Sequence, residues 1–421
     1  MPTFSRFVQE LTVETAFDVL VRARQLKYEG KDVVELEIGD SPFRSTKAAC
    51  EAAVEALNAG LTSYCPSGGI PELRHTAAEF IQREYGVPVS DENIVVGPGA
   101  KPFELFFCEL FLEPGDGVLV FSPFFPTYLP NIQRRGARAV YSPLKMEREF
   151  RPNLDDVERF LAEDPSPKAI FLNSPHNPTG GVATKEDLEG LADLIRGKNV
   201  ALFSDEPYDR MVWKGRHHTP LAEPGMIEQT VAAYTLSKSY SMSGWRLGFA
   251  VTSPDIATQM GKLINTSLSC TPPFLQMGAV AALSRDNDES RENMAKFRRK
   301  VELLVGRLNA IDGIDCLMPG GTFYVFPSVA EVCNRLGITS HGLAMFLLEG
   351  ADDRFGIACL GGECFGEAGA GFLRFSCAEP DERIAQACDF LAEAIHRDDR
   401  AKAYLESHPE YRLATPYPAG R

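Results

Sequence analysis

The sequence has an excess of negative over positive charge, no long apolar run and no signal-peptide pattern in its first ten residues. Its 58 Asp and Glu residues outnumber 43 Lys and Arg residues, which gives a formal net charge of -15. Such a balance disfavours nucleic acid or an anionic membrane as a partner, because phosphate groups are bound by a concentrated basic field. No stretch approaches the roughly 18 apolar residues of a transmembrane helix, and residues 1–10 lack a charged start and an apolar core. These absences predict a cytoplasmic protein.

Metal-ligand patterns are also missing. The ten cysteines are scattered from Cys50 to Cys388 without a CxxC pair. The closest two, Cys359 and Cys364, have no histidines at ligand spacing, and the seven histidines form no HExxH pattern. We therefore expect free thiols and no metal site.

The chain is long and apolar enough to form the hydrophobic cores of two or three domains, since 44% of its 421 residues are hydrophobic. Short apolar runs alternate with amphipathic stretches from about residue 91 to 253, which is typical of a mostly parallel sheet with helices on both faces. Seven runs are predicted strands: 94–96, 118–121, 138–141, 169–172, 201–204, 231–236 and 247–251. Helical periodicity is found at 14–29, 101–112, 185–196 and 276–308.

The pattern changes towards the C-terminus, where short predicted strands at 323–326, 357–360 and 372–375 lie among helices. We predict an α/β protein with a three-layer large domain around a seven-stranded sheet, and a smaller α+β domain built from the N- and C-terminal parts. The predicted divisions are an N-terminal segment packing with the small domain (1–44), the large domain (45–285), the small C-terminal domain (286–397) and a tail (398–421).

Polar residues follow the strands of the large domain. Ligands of open α/β sheets bind beyond the carboxyl ends of the strands, so these residues are the first candidates for a site. They are Gly99, Ala100 and Lys101 after the first strand, Phe125 after the second, Asn177 after the fourth, Asp205 and Tyr208 after the fifth, and Ser237, Lys238 and Arg246 after the sixth.

Each of these residues has an ordinary explanation when taken alone. Lys238 could be a solvated loop lysine, Arg246 a surface charge and Asp205 a helix cap. Their convergence on one sheet edge is harder to explain in this way, because an Asp that ends an apolar strand is costly to bury without a cation or a donor.

The combination matches what pyridoxal 5'-phosphate requires of a binding site. A lysine forms the Schiff base with its aldehyde and then moves a proton as general base and acid, which is the role predicted for Lys238. A carboxylate keeps the ring nitrogen protonated so that the ring can take up electrons, which is the role of Asp205. The other predicted contacts are Asn177 and Tyr208 at the phenolic oxygen, Phe125 on the ring face, and Gly99, Ala100, Lys101, Ser237 and Arg246 around the phosphate.

The same residues carry a family resemblance. The segments NSPHNPTG at 173–180, SDEPY at 204–208 and SKSYSMSGWRLG at 237–248 occur in this order. Together they resemble the class I and II aminotransferases of fold type I, the aspartate aminotransferase superfamily, over about residues 30–391. The resemblance implies ping-pong transfer of an amino group from an L-amino acid to a 2-oxo acid through pyridoxamine phosphate.

Further roles are implied by the resemblance alone. Tyr64 resembles the tyrosine that reaches the cofactor phosphate of the neighbouring subunit, so a homodimer is implied. Arg374 matches the arginine that binds the substrate α-carboxylate, Gly39 resembles a glycine whose backbone approaches that carboxylate, and Asn177 is expected to border the substrate.

Two departures from the family pattern concern the substrate. Phe125 stands where the family usually has Trp or Tyr, which keeps ring stacking but loses a polar tip. Lys101 is similar in position to a lysine that meets the distal carboxylate in some members with acidic substrates, so aspartate or glutamate is a candidate substrate. Lys101 could equally face the phosphate or solvent.

Other functions remain open at this stage. A lyase, a decarboxylase or a cyclising synthase could use the same fold and residues, because fold and cofactor do not fix reaction type. A regulatory protein without turnover is disfavoured by the intact lysine. A dinucleotide-binding dehydrogenase is disfavoured because the turn at residues 97–100 does not complete GxGxxG.

Overall fold

A computed structural model describes the chain at residues 2–11, 15–284 and 288–418. The strands are β1 (Asp32–Glu35), β2 (Ile94–Gly97), β3 (Gly117–Ser122), β4 (Arg138–Pro143), β5 (Pro167–Asn173), β6 (Ala201–Asp205), β7 (Thr230–Thr235), β8 (Gly248–Val251), β9 (Tyr324–Val325), β10 (Phe355–Ala358), β11 (Leu360–Gly361) and β12 (Leu373–Ser376). The helices are α1 (Arg6–Glu10), α2 (Thr15–Tyr28), α3 (Lys47–Asn58), α4 (Pro71–Tyr85), α5 (Lys101–Phe111), α6 (Tyr128–Arg134), α7 (Leu154–Glu163), α8 (Lys185–Ile195), α9 (Pro254–Ser267), α10 (Pro273–Ser284), α11 (Asp288–Leu308), α12 (Ala330–Leu336), α13 (Ser340–Met345), α14 (Asp381–Ala394) and α15 (Asp398–Ser407).

Seven strands form one sheet in the order β2-β8-β7-β6-β5-β3-β4. Strand β8 is antiparallel to both of its neighbours, and the pairs from β7 to β4 are parallel. The predicted seven-stranded, mostly parallel sheet is confirmed. Its central strands have no exposed residue, as is usual for strands covered on both faces.

Helices cover both faces of this sheet. Val118 and Val120 of β3 pack in a cluster with α5 and α9, whereas the alternate residue Leu119 packs in a second cluster with α7 and α8. Because side chains alternate across a strand, one apolar run supplies both layers. The three-layer arrangement places the carboxyl ends of β5, β6 and β7 along one edge.

The smaller unit joins the two ends of the chain. Strand β1 pairs in parallel with β10, and a three-stranded antiparallel sheet has the order β11-β12-β9. The predicted N-terminal helix corresponds to α2, with Glu14 outside the described residues, and its apolar face packs near β10 and β11. The expected helical region 276–308 consists of α10 and α11.

The predicted domain boundaries stay predictions, and the one at 285 lies outside the described residues. Within the predicted tail, Ala401 and Tyr404 of α15 pack in the same apolar cluster as Phe346. We therefore propose that α15 belongs to the small domain. In the described part of the chain, no helix is long and apolar enough to cross a membrane.

Candidate active site

A cavity of about 420 Å³ opens at the sheet edge where β6 and β7 end. Its volume is typical of small-molecule sites. The predicted site residues that line it are Gly39, Ala100, Lys101, Phe125, Asn177, Asp205, Tyr208, Ser237, Lys238, Arg246 and Arg374. Residues from three separate parts of the chain therefore meet in one cavity.

Two predicted residues do not line the cavity. Gly99 lies behind Arg246, where a Cβ atom would come within 2.7 Å of the guanidinium Nη2. The Tyr64 side chain is 88% exposed. Tyr64 is therefore accessible to another molecule. Gly99 contacts Arg246, which does line the cavity.

Asp205 ends β6 with its carboxyl group buried. Its Oδ2 accepts a hydrogen bond of 2.5 Å from the hydroxyl group of Tyr128. Burial raises the pKa of Asp205 to about 7, the Tyr128 hydrogen bond opposes that rise, and the charges of Lys101 and Lys238 oppose it further. A cation placed beside this carboxyl group would stabilise its ionised form.

Tyr128, at the start of α6, is a residue that the sequence analysis missed. It is fully buried, and its pKa is raised well above the usual range, by burial first and then by the charge of Asp205. Helix α6 was not among the predicted helices, so the sequence did not reveal that this tyrosine is buried and needs a partner for its hydroxyl group. The sequence did not indicate which partner that would be.

Lys238 extends into the cavity from the turn after β7. Its Nζ donates a hydrogen bond of 2.6 Å to the carbonyl oxygen of Gly39. Gly39 itself is tightly enclosed, since a Cβ atom there would fall 1.6 Å from the Tyr324 hydroxyl oxygen. The lysine amine thus lies against a backbone segment that tolerates only glycine.

One end of the cavity is built to hold an anion. Helix α5 begins at Lys101, and its N-cap residue, Ala100, contributes no side-chain hydrogen bond to the helix N-terminus. The Ser237 hydroxyl group lies 2.8 Å from that of Thr235, and Arg246 is fixed by hydrogen bonds of 2.8 Å to the Ser243 carbonyl and 3.1 Å to the Pro98 carbonyl. Backbone N–H groups, a hydroxyl group and a guanidinium group together suit a phosphate.

The turn after β5 connects this region to the small domain. Asn173 donates from Nδ2 to the Asp205 carbonyl at 2.8 Å, and its Oδ1 accepts from the Asn177 backbone N–H at 2.8 Å. The Asn177 side-chain oxygen accepts from Arg374 Nη1 at 3.0 Å. A continuous hydrogen-bonded path therefore runs from β6 to β12.

Arg374 is held rigidly at the other end of the cavity. It is 4% exposed, and its guanidinium carbon lies 4.3 Å from the Tyr324 ring centroid and 4.9 Å from that of Phe365. Tyr208 donates to the Tyr324 hydroxyl at 3.2 Å. Burial raises the pKa of Tyr208 well above its usual value, so this hydroxyl group keeps its proton. A planar, fixed guanidinium group suits a carboxylate.

The cavity mouth includes residues without any signal in the sequence. Ala16 and Phe17 of α2 line it beside Lys101, whose Nζ lies 5.1 Å from the Phe125 ring centroid. Phe17 is 55% exposed. The helical pattern of the N-terminal segment gave no indication that its first turn borders the site.

Comparisons with known proteins agree with this geometry. The family model of aminotransferase class I and II matches residues 31–391. Aspartate aminotransferase of Pyrococcus abyssi is 34% identical over 369 residues, which cover 87% of this chain and 92% of that protein. Aromatic-amino-acid aminotransferase 2 of Thermococcus litoralis is 31% identical over 367 residues, which cover 86% of this chain and 92% of that protein.

A solved structure has the same architecture. Aspartate aminotransferase from Thermus thermophilus with maleate superimposes with a TM-score of 0.86 at 32% identity, covering 94% of this chain and 100% of that one. The family is one of pyridoxal-phosphate enzymes. The matched region includes every residue predicted for the site, and the chain accordingly belongs to the class I and II aminotransferases of fold type I.

Proposed function

We propose that this aminotransferase holds pyridoxal 5'-phosphate covalently on Lys238 and exchanges an amino group between an L-amino acid and a 2-oxo acid, with acidic amino acids among its substrates. The observation that supports the proposal most strongly is that an amine, a buried carboxyl group and a buried guanidinium group line one cavity: Lys238, Asp205 and Arg374. The anion-binding end formed by Ser237, Arg246 and the start of α5 suits the cofactor phosphate, so the donor set fits this group.

When bound, the cofactor supplies an aldehyde that condenses with amines and a conjugated ring that takes up electrons from the substrate Cα. Lys238 would hold the cofactor through its Nζ, and the same amine, once free, would accept a proton from the substrate Cα and return it. The lysine is well placed for this transfer because its Nζ is held by the Gly39 carbonyl oxygen and its charge acts on Asp205.

Asp205 holds the proton at the ring nitrogen. Burial raises the pKa of this carboxyl group to about 7 and outweighs the opposing effects of Tyr128, Lys101 and Lys238. A protonated ring nitrogen and an ionised Asp205 stabilise each other. The hydrogen bond from Tyr128 favours the ionised carboxylate in the same way.

Arg374 and Asn177 orient the substrate. The planar guanidinium group of Arg374 binds the α-carboxylate, and the hydrogen bond to Asn177 fixes its plane relative to the cofactor end of the cavity. The rings of Tyr324 and Phe365 restrict the arginine further. The substrate Cα is thereby placed between Arg374 and Lys238.

Lys101 is the residue that we propose selects acidic side chains. Its ammonium group lies 5.1 Å from the Phe125 ring centroid, and the residue lines the same cavity as Arg374. The similarity to proteins named aspartate aminotransferase supports this assignment, whereas the similarity to an aromatic-amino-acid aminotransferase shows that the family likeness alone leaves the substrate open.

A panel of amino acids tests the proposed reaction. Each is mixed with the holoenzyme, and the absorbance change of the cofactor and the 2-oxo acid released are measured in a single turnover. We expect stoichiometric conversion to the amine form with aspartate or glutamate, faster than with leucine. Release of ammonia or carbon dioxide, or no conversion with any amino acid, would contradict transamination.

We also infer a homodimer in which Tyr64 serves the neighbouring site, because its side chain is 88% exposed and outside the cavity of its own chain. The test mixes two impaired variants, Lys238→Ala and Tyr64→Ala. A mixed dimer contains one site with both residues intact only if Tyr64 comes from the other subunit. Recovery of activity on mixing is expected; additive residual activities would contradict the shared site.

A further inference from the structure

Glu37 is a buried carboxyl group without a hydrogen-bond partner among the described residues. It is 0% exposed, and neither Oε1 nor Oε2 is bonded. The backbone explains the burial: the preceding residue, Leu36, donates to Ala358 at 2.9 Å and accepts from Ser376 at 2.8 Å. The segment is thereby fixed between β10 and β12, and the glutamate side chain has no route to solvent.

This residue is attached to the proposed carboxylate-binding arginine. The carbonyl oxygen of Glu37 accepts a hydrogen bond from Arg374 Nη2. Arg374 Nε has no hydrogen-bond partner in the described part of the chain. Two residues further on, the Gly39 carbonyl accepts from Lys238 Nζ. One short segment therefore contacts two of the cationic side chains of the site, Arg374 and Lys238.

The charge of Glu37 depends on pH in the range where enzymes operate. Burial raises the pKa of Glu37 to about 7. The residue's own backbone N–H group and the charge of Arg374 lower this pKa, and the charges of Glu35 and Glu379 raise it. Cys359 also lies within reach, but its own thiol pKa is raised by burial, so it stays neutral. Among these described groups, Arg374 is the only cation that acts on Glu37.

We propose that Glu37 is a proton-linked positioning residue for Arg374: in its neutral form it leaves the arginine charge to the substrate α-carboxylate, and in its ionised form it competes with the substrate for that charge. This inference rests on the proposed role of Arg374. It assigns to Glu37 no contact with the substrate, since the glutamate acts through the arginine and does not line the cavity.

Linkage fixes the sign of the effect. A bound substrate carboxylate disfavours a second negative charge near Arg374, so it raises the pKa of Glu37 and the protein takes up a proton on binding near neutral pH. Affinity for a carboxylate then falls as pH rises through about 7. The fall is about tenfold for each unit by which the ligand raises that pKa, and it levels off above the pKa of the complex.

A purely structural role predicts something different. If Glu37 only fills space as a neutral acid, its replacement by the isosteric Gln changes neither the pH profile nor the proton uptake. The distinction therefore requires a measurement of protons as well as affinity.

Calorimetric titration of the holoenzyme with maleate makes that measurement, with 3-phenylpropionate as a second probe that shares one carboxylate. Titrations at several pH values from about 6 to about 8.5, each in two buffers of different ionisation enthalpy, give the affinity and the number of protons taken up. Any ionisation of the cofactor is common to wild type and variant. The difference in proton uptake between wild type and Glu37→Gln therefore gives the contribution of Glu37. Glu302→Gln is the control, because Glu302 pairs with Arg298 at 2.9 Å on the exposed face of α11 and is not among the charges that act on Glu37.

For the wild type and Glu302→Gln we expect proton uptake near pH 7 and a several-fold loss of affinity towards alkaline pH. For Glu37→Gln we expect less proton uptake and a flatter profile. The same profile in Glu37→Gln as in wild type would overturn the inference while leaving the carboxylate site intact. No binding of either probe at any pH, or undiminished binding by Arg374→Leu, would instead overturn the proposed role of Arg374, and with it that of Glu37.

A measurement on the wild type covers the case in which Glu37→Gln does not fold. Infrared difference spectra with and without maleate at about pH 7, on protein with carbon-13-labelled glutamate, distinguish a glutamic acid from the buried Asp205. A gain of protonated glutamic acid on binding is expected. No change in that band would contradict the inference.

Discussion

The Tyr128 hydroxyl group donates a 2.5 Å hydrogen bond to the carboxyl group of Asp205, and both side chains are buried. In the proposed site this pair would influence the protonation of the cofactor ring nitrogen. Burial raises the pKa of Asp205, and the hydrogen bond from Tyr128 lowers it. The proposed tuning residue thus comes from α6. This helix follows β3, which lies two strands away from β6 in the sheet.

The variant Tyr128→Phe should transaminate more slowly. Loss of the hydrogen bond raises the pKa of Asp205, so less of the ionised carboxylate is available to the ring nitrogen. A hydrogen bond to a charged group contributes about 1.5–3 kcal/mol, or roughly 10- to 100-fold in rate. Single-turnover rates and cofactor dissociation constants measure this. Tyr141→Phe is the control, as that tyrosine is 47% exposed and stacks on Phe124. A normal rate in Tyr128→Phe would refute the tuning role.

The variant Gly99→Ala should weaken cofactor binding. Its Cβ would lie 2.7 Å from Arg246 Nη2, so the arginine must move out of the phosphate end. Gly115→Ala is a matched control, because Gly115 has a similar φ of +92° against +90° at Gly99 and open space around its Cβ position. Both variants carry the backbone strain, and only Gly99→Ala should raise the cofactor dissociation constant. Equal dissociation constants in the two variants would contradict a role for Arg246 at the phosphate.

Replacement of Lys101 by Met should change substrate choice. An ion pair with a distal carboxylate in a partly enclosed site contributes about 1.5–3 kcal/mol, so kcat/KM for aspartate should fall roughly 10- to 100-fold, with a smaller change for leucine. A uniform fall for both amino acids would place Lys101 at the phosphate instead. The cofactor dissociation constant, measured alongside, separates these two results.

The raised pKa of Glu37 also predicts that the free energy of unfolding depends on pH. Its pKa is about 7 in the folded protein against 4.5 for an exposed glutamate, so folding takes up a proton between these values. Stability is therefore lost as pH rises from about 4.5 to about 7, by about 3 kcal/mol in total. We expect the free energy of unfolding of Glu37→Gln, measured in urea relative to wild type, to rise by about 3 kcal/mol between about pH 4.5 and pH 8. An unchanged difference across this range would contradict the raised pKa.

The sequence predicted those features that depend on local order along the chain. Asn177, Asp205 and Lys238 each follow an apolar run, and the carboxyl ends of parallel strands meet at one edge, so their convergence could be inferred. Arg374 required the family resemblance, because a strand arginine alone does not reveal which face is buried.

The remaining features depend on long-range packing. Glu37 alternates with apolar residues in a way that is typical of a solvent-facing side chain, and its burial arises only when the N-terminal strand is enclosed by β10 and β12, which lie more than 300 residues later. Tyr128 and Phe17 reach the site because of how α6 and α2 pack, which no local pattern specifies. The packing of α15 in the same apolar cluster as Phe346 likewise has no local signal.

The central claim is the covalent attachment of the cofactor to Lys238, and borohydride reduction of the holoenzyme followed by peptide mapping tests it most directly. We predict one reduced adduct, on the peptide that contains Lys238, and none in the folded variant Lys238→Ala. An adduct on another lysine, or no adduct in cofactor-saturated protein, would contradict the account.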